Sequence, residues 1–170
     1  MIAQRSPTFI MFSVRPSLII AFLKPYPQQT NMILVLPKNI IEEIITRSRE
    51  SKIEICGFIF GTKNGERFIG KEVEFIRNRL NSSVEFEMDP EEMINALERA
   101  ERKGLEVVTI FHSHLNCPPY PSKKDIKGME NWRIPWLIVS LKGDMKAFIL
   151  RSNNEVEEVK IITHPTQTLP

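Results

Sequence analysis

The residues best equipped for chemistry are His112 and His114, followed by seven residues, Ser122, two residues and Asp125. The stretch before them, Leu105 to Phe111, is rich in β-branched residues and reads as a strand. Side chains alternate along a strand, so His112 and His114 point to one side and can reach one metal ion. Asp125 could supply a third ligand and leave a fourth tetrahedral position for water, the arrangement that separates catalytic zinc from structural zinc. Zinc lowers the pKa of its bound water to about 7, which supplies hydroxide at neutral pH. Such a centre also needs a base to take and return protons. Glu54, heading the apolar run Glu54 to Gly61 with almost nothing polar beside it, is the candidate. The bland alternatives are plain: a His-x-His is often surface, and Ser-x-x-Asp also caps a helix start. A purely structural zinc site would want a fourth protein ligand, and Cys117 is the one conceivable supplier.

The elements that must position these residues follow from pattern. Pro37 to Glu50 is helical, with Pro37 at the first position and Ile40, Ile41, Ile44 and Ile45 on one face. Glu54 to Gly61 reads as a buried strand, Asn64-Gly65 as a hairpin turn, and Phe68 to Ile76 as the return strand. A further strand is expected around Val84 to Glu87. Next comes a helix capped by Asp89, with Pro90 at its first position and Glu92 completing a capping box. Its apolar stripe is Met93, Ala96, Leu97 and Ala100, and Gly104 ends it. Leu115 to Pro121 is a proline-heavy loop, and a short helix starts near Ser122. Trp136 to Leu141 and Met145 to Leu150 form two strands turning at Lys142-Gly143-Asp144, and Val156 to Ile162 adds one more. Helices alternate with strands at first and strands dominate later, which predicts an α/β chain of the α+β kind, a mixed sheet flanked by helices.

Composition narrows the class further. At 170 residues, with 42% hydrophobic and 26% charged side chains, the chain suits one soluble globular domain. A net charge of +2 gives no argument for a nucleic-acid or membrane partner. The lean toward Lys, Glu and Ile points to a heat-adapted source. Residues 1–31 stand apart: no acidic residue occurs before Glu42, and Pro7, Pro16, Pro25 and Pro27 oppose a continuous helix. The run Leu18 to Leu23 is too short to span a bilayer, which takes about 20 residues. Lys24-Pro25 after it does not fit a secretory cleavage site, so a cytoplasmic location is expected. The expected organisation is a loosely ordered extension over 1–31, one domain over 32–163, and a frayed tail over 164–170.

The whole motif resembles that of the JAMM (MPN-plus) zinc metalloproteases: a Glu on an early strand, then His-x-His, seven residues, Ser, two residues, Asp. Glu54, His112, His114, Ser122 and Asp125 occupy every position. Glu54-Ile55-Cys56-Gly57 through Gly61, Phe86 to Pro90, and the strand into Phe111 to His114 look like the family's as well. The resemblance covers about Leu34 to Ile162 and is nearest to small archaeal or bacterial single-domain members. It implies the JAMM/MPN (cytidine-deaminase-like) fold and one zinc per chain on His112, His114 and Asp125. It also implies Glu54 as general base and Ser122 as hydrogen-bond donor to the oxyanion. The implied activity is a deubiquitinase-like metallo-isopeptidase acting on ubiquitin-like modifiers and their conjugates.

Two other functions stand beside it. One is a peptidase that trims the C-terminus of a ubiquitin-like sulphur carrier; the other is a non-catalytic MPN scaffold, against which the complete ligand set argues. A homodimer is an open possibility. The return strand Phe68 to Ile76 and the loop Leu115 to Pro121 are the expected walls of a substrate cleft, and Trp132 could touch substrate. Lys123-Lys124 reads as a solvated helix face. Cys56 reads as a small buried hydrophobe, with a Cys56–Cys117 disulfide as an alternative if the loop brings the sulfurs together.

Overall fold

The structure, a computed structural model, describes residues 32–165, so the expected extension over 1–31 and the last five residues of the expected tail lie outside it. The described strands are β1 (Ile33–Pro37), β2 (Cys56–Asn64), β3 (Arg67–Ile76), β4 (Glu106–His114), β5 (Trp136–Ser140), β6 (Met145–Leu150) and β7 (Val156–His164). Three helices accompany them: α1 (Lys38–Glu50), α2 (Pro90–Arg102) and α3 (Lys123–Asn131). No described helix is long and apolar enough to cross a membrane.

The sheet is mixed, as expected, and it closes on itself in the order β1-β3-β2-β4-β5-β6-β7. Closure depends on β1, which the pattern reading lacks. It pairs in parallel with β3 on one side and β7 on the other. Its five residues, Ile-Leu-Val-Leu-Pro, lie far in sequence from both partners, so no turn signals the pairing. Pro37 ends this strand in an extended conformation (φ −61°, ψ 141°) and precedes the helix instead of opening it. At the other end β7 runs on to His164, which pairs with Pro37 and so is not part of a frayed tail.

Alternation along the strands builds two hydrophobic clusters on opposite faces. Leu137 and Val139 of β5 join the cluster containing Ile40, Ile41 and Ile44 of α1. Trp136 and Ile138 join the other, with Ala96 and Ala100 of α2 and Met129 of α3. Helix α3 comes close to β5 because residue 128 is glycine: a Cβ there would meet the Trp136 ring at 2.5 Å. The Trp136 indole N–H also donates to the Trp132 carbonyl (3.1 Å) at the end of the helix. Gly128→Val is therefore expected to lower stability by about 1–3 kcal/mol, the range for overpacked cores. Urea unfolding checks this by a lower midpoint at unchanged slope.

Two local expectations need correction. Val84 to Glu87 is not a strand; the isolated bridge Asn78 to Met88 falls just beyond it. Its alternation suits a strand, but the Asn78 side chain takes the place of a strand partner, donating to the Glu85 carbonyl and accepting from the Glu87 amide. The capping box on α2 is half present. Asp89 accepts from the Glu91 and Glu92 amides, but the Glu92 carboxylate accepts from the Arg77 amide (2.7 Å), while the Asp89 amide donates to the Arg77 carbonyl.

Candidate metal centre

Strand β4 continues through the His-x-His, beyond the expected end at Phe111. Ile110 lies in the cluster under α2 and α3, so His112 and His114, on the same alternation, face those helices. Ser122 caps α3 by accepting from the Asp125 amide (3.2 Å), and the Asp125 carboxylate accepts from the Ser122 amide (2.7 Å). This reciprocal cap fixes Asp125 in the first turn, pointing at the histidines.

The three side chains converge. His112 Nε2 lies 3.1 Å from His114 Nε2, 3.3 Å from Asp125 Oδ1, and the His114 Nε2 to Asp125 Oδ2 distance is 3.8 Å. All three residues are buried. A tetrahedral zinc with bonds of about 2.0–2.2 Å holds its donors about 3.3–3.6 Å apart, so this donor set fits the ion in type and approximate spacing. His114 Nδ1 lies 3.0 Å from the Pro118 carbonyl. A carbonyl only accepts, so Nδ1 carries a proton, and Nε2 is the ring atom turned toward His112 and Asp125. Among the described residues His112 Nδ1 has no hydrogen-bond partner. Its ring is instead held by stacking on Phe86, with centroids 4.6 Å apart, and by the edge of Trp136.

The electrostatics agree with a cation site. Burial pulls the His112 imidazole below its usual range, keeping it neutral. Burial also pulls down His114, but bonds to Asp125 and the Pro118 carbonyl outweigh it and the net shift is upward. Burial pushes the Asp125 carboxyl up, yet bonds from both histidines hold it well below the ordinary carboxylate range. Two imidazoles leaning on one buried carboxylate are what a cation between them would replace.

Glu54 lies just ahead of β2 rather than on it and is 3% exposed. Burial pushes its carboxyl up to about 7, with opposing pull from His114. It lines a cavity of about 900 Å³ together with His114, Ser122 and Asp125. The expected cleft walls are not its walls. Neither Phe68 to Ile76 nor Leu115 to Pro121 lines the cavity; the segment Val84 to Met88 and the exposed side of α3 do, with Trp132. Lys123 and Lys124 also line it, and Lys124 pairs with Glu85 (2.8 Å) across the opening.

Two residues that hold Glu54 in place are absent from the motif. Ser113, between the histidines, accepts from the Ile55 amide through Oγ (2.9 Å), while its own amide donates to the Ile55 carbonyl (3.0 Å). The alternation of β4 foretells that Ser113 turns away from the histidines, but not what it meets. Asn78 donates to the Glu54 carbonyl (3.0 Å), a contact with no local sequence signal. Ser113→Ala would leave a largely buried amide without a partner and is expected to cost about 1–3 kcal/mol. Thermal unfolding of the metal-free chain checks it.

The cysteines correct the disulfide alternative. Both are free: Cys56 is buried on β2 with its thiol 3.4 Å from the Ile76 carbonyl, and Cys117 is exposed. The Ile76 bond draws the Cys56 sulfur toward β3 and away from the loop. Burial pushes the Cys56 thiol up to about 12, too high for a thiolate nucleophile at neutral pH. The metal-ligand cluster of His112, His114 and Asp125 does not include Cys117.

Comparison with known proteins agrees with this geometry. A profile described as prokaryotic homologs of the JAB domain matches residues 37–151. A desampylase of Pyrococcus furiosus is 54% identical over 129 residues, covering 76% of this chain and 89% of the relative. A probable TtuB-protein conjugate cleaving protease of Thermus thermophilus is 33% identical over 128 residues, 74% of this chain and 81% of the relative. A Desulfitobacterium hafniense protein solved in solution superposes with a TM-score of 0.71 at 27% identity, covering 79% of this chain and 95% of that one. On the match of more than half its length, this chain belongs to the family of prokaryotic homologs of the JAB domain.

Proposed function

We propose that this chain is a zinc-dependent isopeptidase that hydrolyses the bond between the C-terminal Gly of a ubiquitin-like modifier and a lysine amine. The observation that carries the reading is one cavity lined by Glu54, His114, Ser122 and Asp125, in a chain 54% identical to a desampylase. The Thermus relative, named for cleaving conjugates, favours an isopeptide substrate over a sulphur carrier with a free tail.

His112, His114 and Asp125 would hold one zinc ion, which when bound supplies a Lewis acid and a water of lowered pKa. Glu54 then takes a proton from the attacking water at its carboxylate and returns it to the departing lysine amine. A carboxyl that burial moves toward neutrality is suited to both transfers, since neither protonation state is strongly favoured. Ser122 Oγ accepts from the Asp125 amide and its hydroxyl also lies against the Asp125 carboxylate; in this reading the hydroxyl turns to donate to the oxygen that gains charge on the scissile carbonyl. Cys56, buried and with its thiol pushed up, is unsuited as a nucleophile, and in this reading the attacking group is water.

The test is a comparison of two substrates built on one modifier, a lysine-linked conjugate and a linear C-terminal fusion. Cleavage of the lysine linkage supports the reading. Cleavage of the linear fusion alone replaces it with C-terminal processing.

A further inference from the structure

From the geometry we infer that Asn78 is a positioning residue for the reaction: it sets the Glu54 carboxylate and the neighbouring cavity wall through one buried side chain. The inference rests on the isopeptidase reading above and adds to it a residue outside the metalloprotease motif.

Asn78 is 5% exposed, two residues past the end of β3. Its side chain carries five hydrogen bonds, four of them at 3.0–3.2 Å and a longer one of 3.5 Å from Nδ2 to the Ser82 carbonyl. Nδ2 donates to the Glu54 carbonyl (3.0 Å) and the Glu85 carbonyl (3.0 Å). Oδ1 accepts from the Leu80 amide (3.2 Å) and the Glu87 amide (3.1 Å). The side chain thus fills the inside of the loop over residues 79–88 and supplies partners that its backbone would otherwise lack.

The loop returns the favour to Glu54. The Glu54 amide donates to the Ser82 carbonyl (2.9 Å), so both backbone polar groups of Glu54 end on this loop or on Asn78. On its other side, Ile55 is tied to Ser113 between the two histidines. The Glu54-Ile55 dipeptide is therefore clamped between the histidine strand and the Asn78 loop, short of the regular ladder of β2. A residue outside a ladder keeps its direction only through such bonds. The same loop carries Phe86, stacked on His112, and Glu85, paired with Lys124 of α3. One amide group thus connects the base, the ring against a metal ligand, and the wall that faces substrate.

Asn78 touches no reacting atom. Its effect passes through the placement of Glu54, so its loss should lower kcat and leave metal binding intact. Misplacing a catalytic group by about 1 Å costs on the order of 100-fold in rate.

The test uses full-length, zinc-loaded protein and two variants. Asn78→Ala removes all five bonds. Asn78→Asp keeps the shape and the Oδ1 acceptor that holds Leu80 and Glu87, loses the donors to Glu54, Ser82 and Glu85, and turns a carboxyl oxygen toward those carbonyls. It therefore perturbs the Glu54 end of the network while the loop end persists, and it serves if the alanine variant does not fold. Val159→Ala, in the core on β7 and away from the cavity, controls for general destabilisation. The expected result for Asn78→Asp is a kcat at least tenfold below wild type, with KM within about threefold and one zinc per chain, while Val159→Ala keeps wild-type kcat. A kcat for Asn78→Asp equal to that of Val159→Ala, or a loss matched by lost zinc, would overturn the inference. If wild-type protein cleaves no lysine-linked conjugate, the isopeptidase reading fails first. If wild type is active, Glu54→Gln inactive and Asn78→Asp active, only the present inference fails.

Discussion

Glu54→Gln is expected to keep one zinc per chain and lose cleavage by a factor of about 10²–10⁴, the usual contribution of a positioned general base. The amide has nearly the carboxylate's shape, so the bonds from the Glu54 backbone to Ser82 and Asn78 should persist. What disappears is the group that accepts and returns a proton. Single-turnover cleavage with metal analysis on the same preparation checks both halves. Full activity would remove Glu54 from the mechanism, and lost zinc would make its role structural.

The same variant carries a second signature in the metal-free protein. Burial raises the Glu54 carboxyl from 4.5 to about 7 in the folded chain. The folded state therefore holds this proton more tightly than the unfolded state. The stability linked to it is fully present below about pH 4.5 and is lost as pH rises through about 7. Glu54→Gln has no such proton, so its stability should change less over that window. Urea midpoints at several pH values, with chelator present, check the difference.

Asp125→Ala is expected to abolish cleavage and stoichiometric zinc binding together. Removing a residue that only supports a ligand costs about 10–100-fold in metal affinity, and removing a ligand should cost more. Asp125 has a further task, since its carboxylate closes the cap on α3 by accepting from the Ser122 amide. The variant should therefore also be less stable without metal, by the order of 1 kcal/mol that a lost cap bond costs. Zinc at about 1,000 times its dissociation constant should stabilise the wild type by about 4 kcal/mol and the variant far less. Melting curves with and without zinc separate these effects: the cap contributes to both, and the ligand only to the difference.

The parts of this account that were legible from sequence are those set by short-range rules. His112 and His114 share a face because strand alternation demands it, and Ser122 and Asp125 meet because a capping box spans three residues. The helix faces of Ile40, Ile41 and Ile44 and of Ala96 and Ala100 follow from helical periodicity. The parts that were not legible depend on distant partners. Strand β1 is a strand because β3 and β7 receive it, and nothing within Ile33–Pro37 names either. Val84 to Glu87 has strand alternation but meets the side chain of Asn78, the Ser82 hydroxyl and the Arg79 amide in place of a continuous strand partner. The Glu92 carboxylate had a local partner in the Asp89 amide and took the Arg77 amide instead, because the Asp89 amide was already engaged with the Arg77 carbonyl. The segment that lines the cavity, Val84 to Met88, is placed by the Asn78 side chain, the His112 ring and Lys124, none of which its own pattern announces.

The most direct test is a titration of metal-free protein with zinc, following release of a ubiquitin-like modifier from a lysine-linked conjugate. No cleavage is expected without metal, then a rise that saturates at one zinc per chain, with released modifier ending in an intact C-terminal Gly. Cleavage that persists after metal removal, or one bound zinc on His112, His114 and Asp125 with no cleavage of any such conjugate, would contradict the isopeptidase reading.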